Sequence, residues 1–289
     1  MSAFKKILFP TDFSTNADSA LTHAVRLADL DSGEVIIQHV VSDFFERHSH
    51  WATLFDVHEL QKALENYVSS HVSTILPKDG KVRVRGVVSQ GRVADEISAL
   101  AEKELVDLVV MGSAKGNVTN KVIRMTNRPV LAVSGRRPKT GDTDPHKISR
   151  ILLTTDFSDH SKKVVEYAFE LKKAFNAAIY MLFVIETSRA IEFAIRQGRF
   201  TDTIDKMREW ATNQLLNLTP DEFAHDPKVV RIVESGVPGD TIADVAFEIG
   251  ADLTILGTHE YGTIHKAMLG TTTDKLLAKS ATPVLTVKL

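Results

Sequence analysis

KILFPTDFS (residues 6–14) returns later in the chain as RILLTTDFS (residues 150–158). Six of the nine positions are identical: Ile7/Ile151, Leu8/Leu152, Thr11/Thr155, Asp12/Asp156, Phe13/Phe157 and Ser14/Ser158. The echo continues in the same order. Gly91 after VVSQ matches Gly236 after IVES, LVDLVVMGS (105–113) matches GADLTILGT (250–258), and NRPVLAV (127–133) matches ATPVLTV (281–287). Landmarks repeated in one order mean two copies of one domain.

Each copy alternates short β-branched runs with helical periodicity. In the first, ILFP (7–10), VIIQHVV (35–41), VRVRGVV (82–88), LVVM (108–111) and VLAV (130–133) read as strands. Between them, Ser14 fits a helix N-cap, with Ala17, Ala20, Leu21, Ala24 and Leu27 following at helical spacing. Leu60, Leu64, Tyr67 and Val68 form one stripe of a helix over 55–75, and Val93, Ile97, Leu100 and Ala101 mark the next. The second copy repeats the order, with strands at 151–154, 178–185, 228–233, 253–256 and 284–287. Its helices are expected over 159–174, 200–217 and 239–249 and from 271. Strands separated by helices imply a parallel sheet covered on both faces, an α/β fold. The stretch 134–149 (SGRRPKTGDTDPHKIS) has no apolar period. The expected domains are therefore 1–134 and 148–289, with a linker over 135–147.

Composition narrows the function. The 289 residues are 43% hydrophobic and 25% charged, as in ordinary globular proteins. A net charge of −2 offers no footprint for nucleic acid or an anionic membrane. No apolar run approaches the roughly 18 residues of a membrane helix, and no secretory signal is legible, so the expected location is cytoplasmic. There is no cysteine, which excludes disulfides, thiolate metal sites and cysteine nucleophiles. The chain has no G-x-x-x-x-G-K-[ST] loop, no G-x-G-x-x-G after the first strand and no G-x-S-x-G elbow. His48, His50 and His58 lie close in sequence, but without helical i, i+4 pairing they read as a solvated segment rather than a metal site. Arg136, Arg137 and Lys139 read as linker charge.

In an open α/β sheet, ligands bind beyond the carboxyl ends of the strands, where strand order reverses. The repeated landmarks Asp12/Asp156 and Gly112/Gly257 fall at such ends. A carboxylate there can accept from an exocyclic amine such as that of adenine. The same Asp can equally cap the following helix, and recurrence in both copies fits either role. Farther along the second copy, Gly270 opens a helix whose first turn is Thr271, Thr272 and Thr273. Free N–H groups and a positive dipole end suit phosphate, and ordinary capping by Thr is the competing reading.

These landmarks resemble the universal stress protein family across both copies. The resemblance rests on ILxxTDFS, on Gly236-Val237-Pro238, on the glycine after strand four and on PVLxV. It implies two tandem Rossmann-like domains, each a five-stranded parallel sheet in the order 3-2-1-4-5 flanked by helices. It also implies binding of ATP or another adenine nucleotide through the strand-one Asp and a loop G-x-x-G-(nine residues)-G-(S/T). Copy two matches at Gly257 and at Gly270-Thr271, but Glu260 stands at the middle glycine, with Gly262 two positions later. Copy one is nine residues shorter: Gly112 to Pro129 spans 17 positions, against 26 from Gly257 to Pro283.

The expectation is therefore a non-catalytic nucleotide-binding stress protein with its site in copy two. Asp156 and backbone around Val184 would take the base, and Leu256-Gly257 the ribose. Gly270, Thr271 and Thr272 would hold phosphate, with Thr154, Thr155, Thr258 and Glu260 completing the set. Any hydrolysis would be slow. The alternative is a nucleotide-independent interaction scaffold, favoured by Glu260 and by the shortened loop of copy one. The resemblance further implies that the two fifth strands meet in an intramolecular pseudo-dimer, which covers their apolar edges and leaves homodimerisation to other surfaces.

Overall fold

The computed structural model describes residues 4–42, 57–75, 80–113, 117–134, 148–158, 161–188, 200–258 and 271–288. The chain divides into two compact units, Met1–Gly135 and Arg136–Leu289. The linker expected over 135–147 lies outside the described residues.

Unit 1 runs β1 (Lys6–Pro10), α1 (Thr15–Asp29), β2 (Glu34–Ser42), α2 (Val57–Tyr67), β3 (Arg83–Gly91), α3 (Val93–Lys103), β4 (Leu108–Ser113), α4 (Asn117–Met125) and β5 (Val130–Ser134). Its strands are parallel and ordered β3-β2-β1-β4-β5. The stripe expected over 55–75 is α2, then a π-helical turn at Val68–Val72 and a last turn at Ser73–Ile75. Unit 2 repeats the plan. It runs β6 (Arg150–Thr154), α5 (Ser161–Phe175), β7 (Ala178–Glu186), α6 (Phe200–Leu218), β8 (Val229–Gly236), α7 (Pro238–Glu248), β9 (Leu253–Thr258), α8 (Thr271–Lys279) and β10 (Val284–Lys288). The order β8-β7-β6-β9-β10 is again parallel throughout. The expected fold, two tandem α/β units with a 3-2-1-4-5 strand order in each, is the one observed.

The central strands are covered on both faces. Ile7, Leu8 and Phe9 of β1 and Ile151, Leu152 and Leu153 of β6 are fully buried, each worth about 1.5–3 kcal/mol in water-removed apolar surface. In unit 2, Leu152, Leu182, Ile242, Val245, Leu256, Leu276 and Val284 share one cluster, which joins the sheet to α7 and α8. Helix ends follow local chemistry. The Ser14 hydroxyl accepts the Ala17 N–H at 3.4 Å, as its N-cap reading requires. At the end of α3, Val106 N–H bonds Ala101 O and Leu105 N–H bonds Glu102 O, closing a Schellman turn. That turn puts Leu105 at φ 52°, whereas the matching turn after α7 carries Gly250 at φ 61°. Among the described residues no helix is long and apolar enough to cross a membrane.

Candidate functional site

The strand order of unit 2 reverses between β6 and β9, and there the sheet splits. Pairing of the two strands ends at Leu153↔Ile255, while β9 continues alongside β10 to Thr258. On the other flank, β7 leaves β6 at Thr154↔Leu182 and runs on beside β8 through Val184 to Glu186. The split is thus bordered by residues 154–156 on one side and by Leu256, Gly257 and Thr258 on the other. Val184 lies beyond the reach of β6 pairing. Thr154 Oγ1 donates to the Ile255 carbonyl at 3.3 Å and closes the floor. Leu256 belongs to the core, so its contribution at the split is backbone; Gly257 and Thr258 are half-buried.

The exposed Asp156 caps the turn into α5. Its Oδ1 accepts the Ser158 N–H at 3.0 Å and the hydroxyl of buried Ser161 at 2.9 Å. Thr155 is also held locally: its N–H bonds the Leu182 carbonyl at 3.1 Å, and its Oγ1 accepts the Phe157 N–H at 3.1 Å. The capping role weighed for this Asp is therefore present in the geometry. The same carboxylate also stands at the strand-order reversal, where a ligand would arrive.

Unit 1 repeats the turn. Asp12 Oδ1 accepts the Ser14 N–H at 3.0 Å, and Thr11 Oγ1 accepts the Phe13 N–H at 3.0 Å. The rest of its strand-end region differs. Thr119 Oγ1, in the first turn of α4, donates to the Gly112 carbonyl at 3.3 Å, so α4 begins directly against the end of β4. Only residues 114–116 join those elements, whereas residues 259–270 join β9 to α8. Near Asp12, Tyr67 donates its hydroxyl to Asp18 at 2.6 Å. Burial, together with that bond, pushes the Tyr67 hydroxyl well above the ordinary tyrosine value.

One repeated feature carried no sequence signal beyond the TDFS match itself. Phe13 (φ 60°) and Phe157 (φ 59°) both adopt the left-handed conformation, unusual for a bulky residue. Each ring is bracketed by a ring from the second strand and one from the second helix of its unit. Phe157 stacks on Phe183 with centroids 4.5 Å apart and meets Trp210 edge-on at 5.4 Å. Phe13 packs on His39 at 4.7 Å and meets Tyr67 edge-on at 5.1 Å. His39 Nδ1 in turn donates to the Thr11 carbonyl at 2.9 Å. These contacts hold the strained turn that presents the Asp.

Of the remaining predicted site residues, Thr272 is half-buried in the first turn of α8, and Thr271 is its first residue. Glu260 and Gly270 lie outside the described residues, as do Gly262, His48 and His50. Among the described residues no group of three or more His, Asp or Glu could hold a metal ion.

Known proteins place this architecture. The model of the universal stress protein family matches the chain twice, over residues 3–134 and 147–288. The chain belongs to the universal stress protein family. It is 31% identical over 154 residues to Universal stress protein MJ0577 of Methanocaldococcus jannaschii, a match covering 45% of this chain and 94% of that protein. Against Universal stress protein G of Escherichia coli O157:H7 the identity is 35% over 146 residues, covering 45% of this chain and 99% of the relative. A crystal structure of a universal stress protein from Archaeoglobus fulgidus DSM 4304 shares the fold over 98% of both chains, with a TM-score of 0.70 and 20% identity. The two relatives thus match about one unit's length of this universal stress protein, and the solved structure spans both.

Proposed function

We propose that this protein acts in the stress response by binding one adenine nucleotide, in unit 2, and that it works as a sensor or regulator rather than a catalyst. The observation that carries the reading is the asymmetry at the strand ends. In unit 1 the Thr119–Gly112 bond seats α4 on the end of β4, three residues away; in unit 2 twelve residues separate β9 from α8. Such a length accommodates a phosphate-bearing ligand at the split, and the family resemblance supplies its class. Asp156 and the backbone beyond Leu182 suit a base edge, Gly257 permits close approach, and the α8 N-terminus suits phosphate. Among the described residues at the split, the hydroxyl paired with the Asp156 carboxylate belongs to buried Ser161, which supports binding without rapid hydrolysis.

Calorimetric titration of the full chain with ATP, ADP, AMP and adenosine tests this reading. The expected stoichiometry is one nucleotide per chain. Two equal sites would overturn the asymmetry. No binding by any of the four would overturn the nucleotide itself and favour a scaffold, the second reading, which Glu260 supports because a carboxylate at the loop's middle glycine would repel phosphate. Pairing of the two apolar fifth strands within one chain remains part of the proposal. It rests on their sequences and on the family resemblance, and scattering from a Leu131→Lys, Leu285→Lys variant would test it.

A further inference from the structure

We infer that Gly239 and Asp240 are positioning residues that set the first turn of α8, and through it the phosphate end of the site; this rests on the reading of unit 2 as a nucleotide site. A β-carbon added at Gly239 would fall 2.7 Å from Lys275 Cβ and 2.8 Å from the Thr272 carbonyl oxygen. Carbon atoms do not approach backbone that closely, so the absence of a side chain is what lets α7 seat against the first turn of α8. The next residue locks the contact. Asp240 pairs with Lys279 at the far end of α8. That ammonium holds the Asp240 carboxyl below the ordinary aspartate value, with Lys275 adding to the effect. One residue thus fixes where α8 begins and its neighbour fixes how α8 lies.

Unit 1 provides the comparison inside the same chain. Helices α3 and α7 are both eleven residues long and start after equivalent glycines, so Ala94 stands where unit 2 has Gly239. Helices α4 and α8 are both nine residues long, so Met125 stands where unit 2 has Lys279. Asp95, the counterpart of Asp240, is exposed, and Met125 has no ammonium to offer it. The close seat and the ion pair both occur in the unit whose helix follows the long connection. A helix N-terminus can serve an anion only if it is held at one distance from the strand ends. The α7 contact supplies that constraint in unit 2.

The test uses the full chain and the variants Gly239→Ala and Asp240→Asn. Without ligand, hydrogen exchange is followed over Lys275, Leu276 and Leu277, whose amides bond back to the carbonyls of the first α8 turn. The expected result is at least tenfold faster exchange there in Gly239→Ala and about threefold in Asp240→Asn, with β6 and β9 unchanged. With ligand, ATP affinity should fall about tenfold in Gly239→Ala while adenosine affinity changes less than twofold, because only the phosphates meet α8. Unchanged α8 exchange in both folded variants overturns the inference, even where nucleotide binding stands. Equal losses for ATP and adenosine overturn it too, since a general structural defect would act on both. If the wild type binds neither ligand, the nucleotide reading fails by itself, and the exchange comparison still decides whether these residues position α8. If Gly239→Ala does not fold, Asp240→Asn carries the same comparison without adding volume.

Discussion

Replacing Asp156 separates its part in the turn, where Oδ1 is an acceptor, from the base contact proposed for it. Oδ1 takes the Ser158 N–H and the Ser161 hydroxyl. Asp156→Ala removes both bonds and leaves the hydroxyl of buried Ser161 its contact to Ser158 Oγ at 3.2 Å. Loss of such a cap costs about 1–2 kcal/mol of stability. Asp12→Ala loses the turn bond from the Ser14 N–H and should cost about 0.5–1 kcal/mol. Binding should divide differently. A base amine donating to a carboxylate is worth roughly 1.5–3 kcal/mol, so Asp156→Ala should weaken adenylate binding about 10- to 150-fold, and Asp12→Ala should leave it unchanged. Asp156→Asn is the decisive variant. Its amide oxygen can still accept at the Oδ1 position, so stability should stay within about 0.5 kcal/mol of wild type. Its amide nitrogen presents a donor where the amine needs an acceptor, so binding should still fall. Urea unfolding and calorimetry on the same samples measure the two quantities. Wild-type affinity in Asp156→Asn would reduce the residue to a helix cap, and equal binding losses in Asp12→Ala and Asp156→Ala would refute the assignment to unit 2.

Leu105→Gly should stabilise unit 1 by about 0.5–1 kcal/mol. The left-handed conformation costs a leucine roughly 1–2 kcal/mol, glycine returns about 0.5–1 kcal/mol of that in chain entropy, and Leu105 is 68% exposed and so surrenders little packing; a lower unfolding midpoint in urea would sink the claim. Acid should weaken unit 1 through Glu102 and Glu104. Burial pushes the Glu102 carboxyl up, but the Asn127 amide, the Thr126 hydroxyl and the Arg128 guanidinium together hold it below its ordinary value of 4.5. Arg85 holds Glu104 down, helped by Lys6. Carboxyls depressed by folding contribute stability that is fully present above the unfolded pKa and is lost as pH falls through the folded one. Stability measured from pH 6 downward should therefore hold to near 4.5 and then decline, and the decline should be shallower in Glu102→Gln; an identical acid limb in that variant would contradict the assignment.

The fold was legible because burial leaves a simple pattern. Strands such as LVVM (108–111) and ILLT (151–154) are covered on both faces, so they appear as largely apolar runs, and the observed strands differ from the expected ones by only one to three residues at their ends. Helix termini were less legible. The left-handed position after α7 is a glycine and announces itself, but the equivalent after α3 is Leu105, which nothing in composition marks as a turn residue. There the tertiary seat of the helix overrides the local preference. The π-helical turn at Val68–Val72 is similar: the apolar stripe through Leu60, Leu64, Tyr67 and Val68 predicts a helix and is silent on its pitch.

The site was legible in part, for a different reason. Asp156 and Gly257 stand out through the repeat, and strand topology alone brings them to one split. A repeat displays what two copies share, whereas the difference proposed between these units lies in what they do not share. Gly239 against Ala94 and Lys279 against Met125 are single exchanges inside helices of equal length, each unremarkable until the neighbouring helix is in place. The missing β-carbon acquires meaning only beside the Thr272 carbonyl, and Lys279 only beside Asp240. The ring brackets reverse that situation. Phe13 and Phe157 are identical in sequence and in φ, yet the partners are His39 and Tyr67 in one unit and Phe183 and Trp210 in the other. In unit 1 the bracket is polar and tied to α1 through the Tyr67–Asp18 bond, and in unit 2 Lys162 occupies the register of Asp18. Side chains tie down the duplicated strand end in both units, through Asp12 in one and Asp156 in the other. In unit 2 the same turn is backed by the rings of Phe183 and Trp210, and its carboxylate stands at the strand-order reversal.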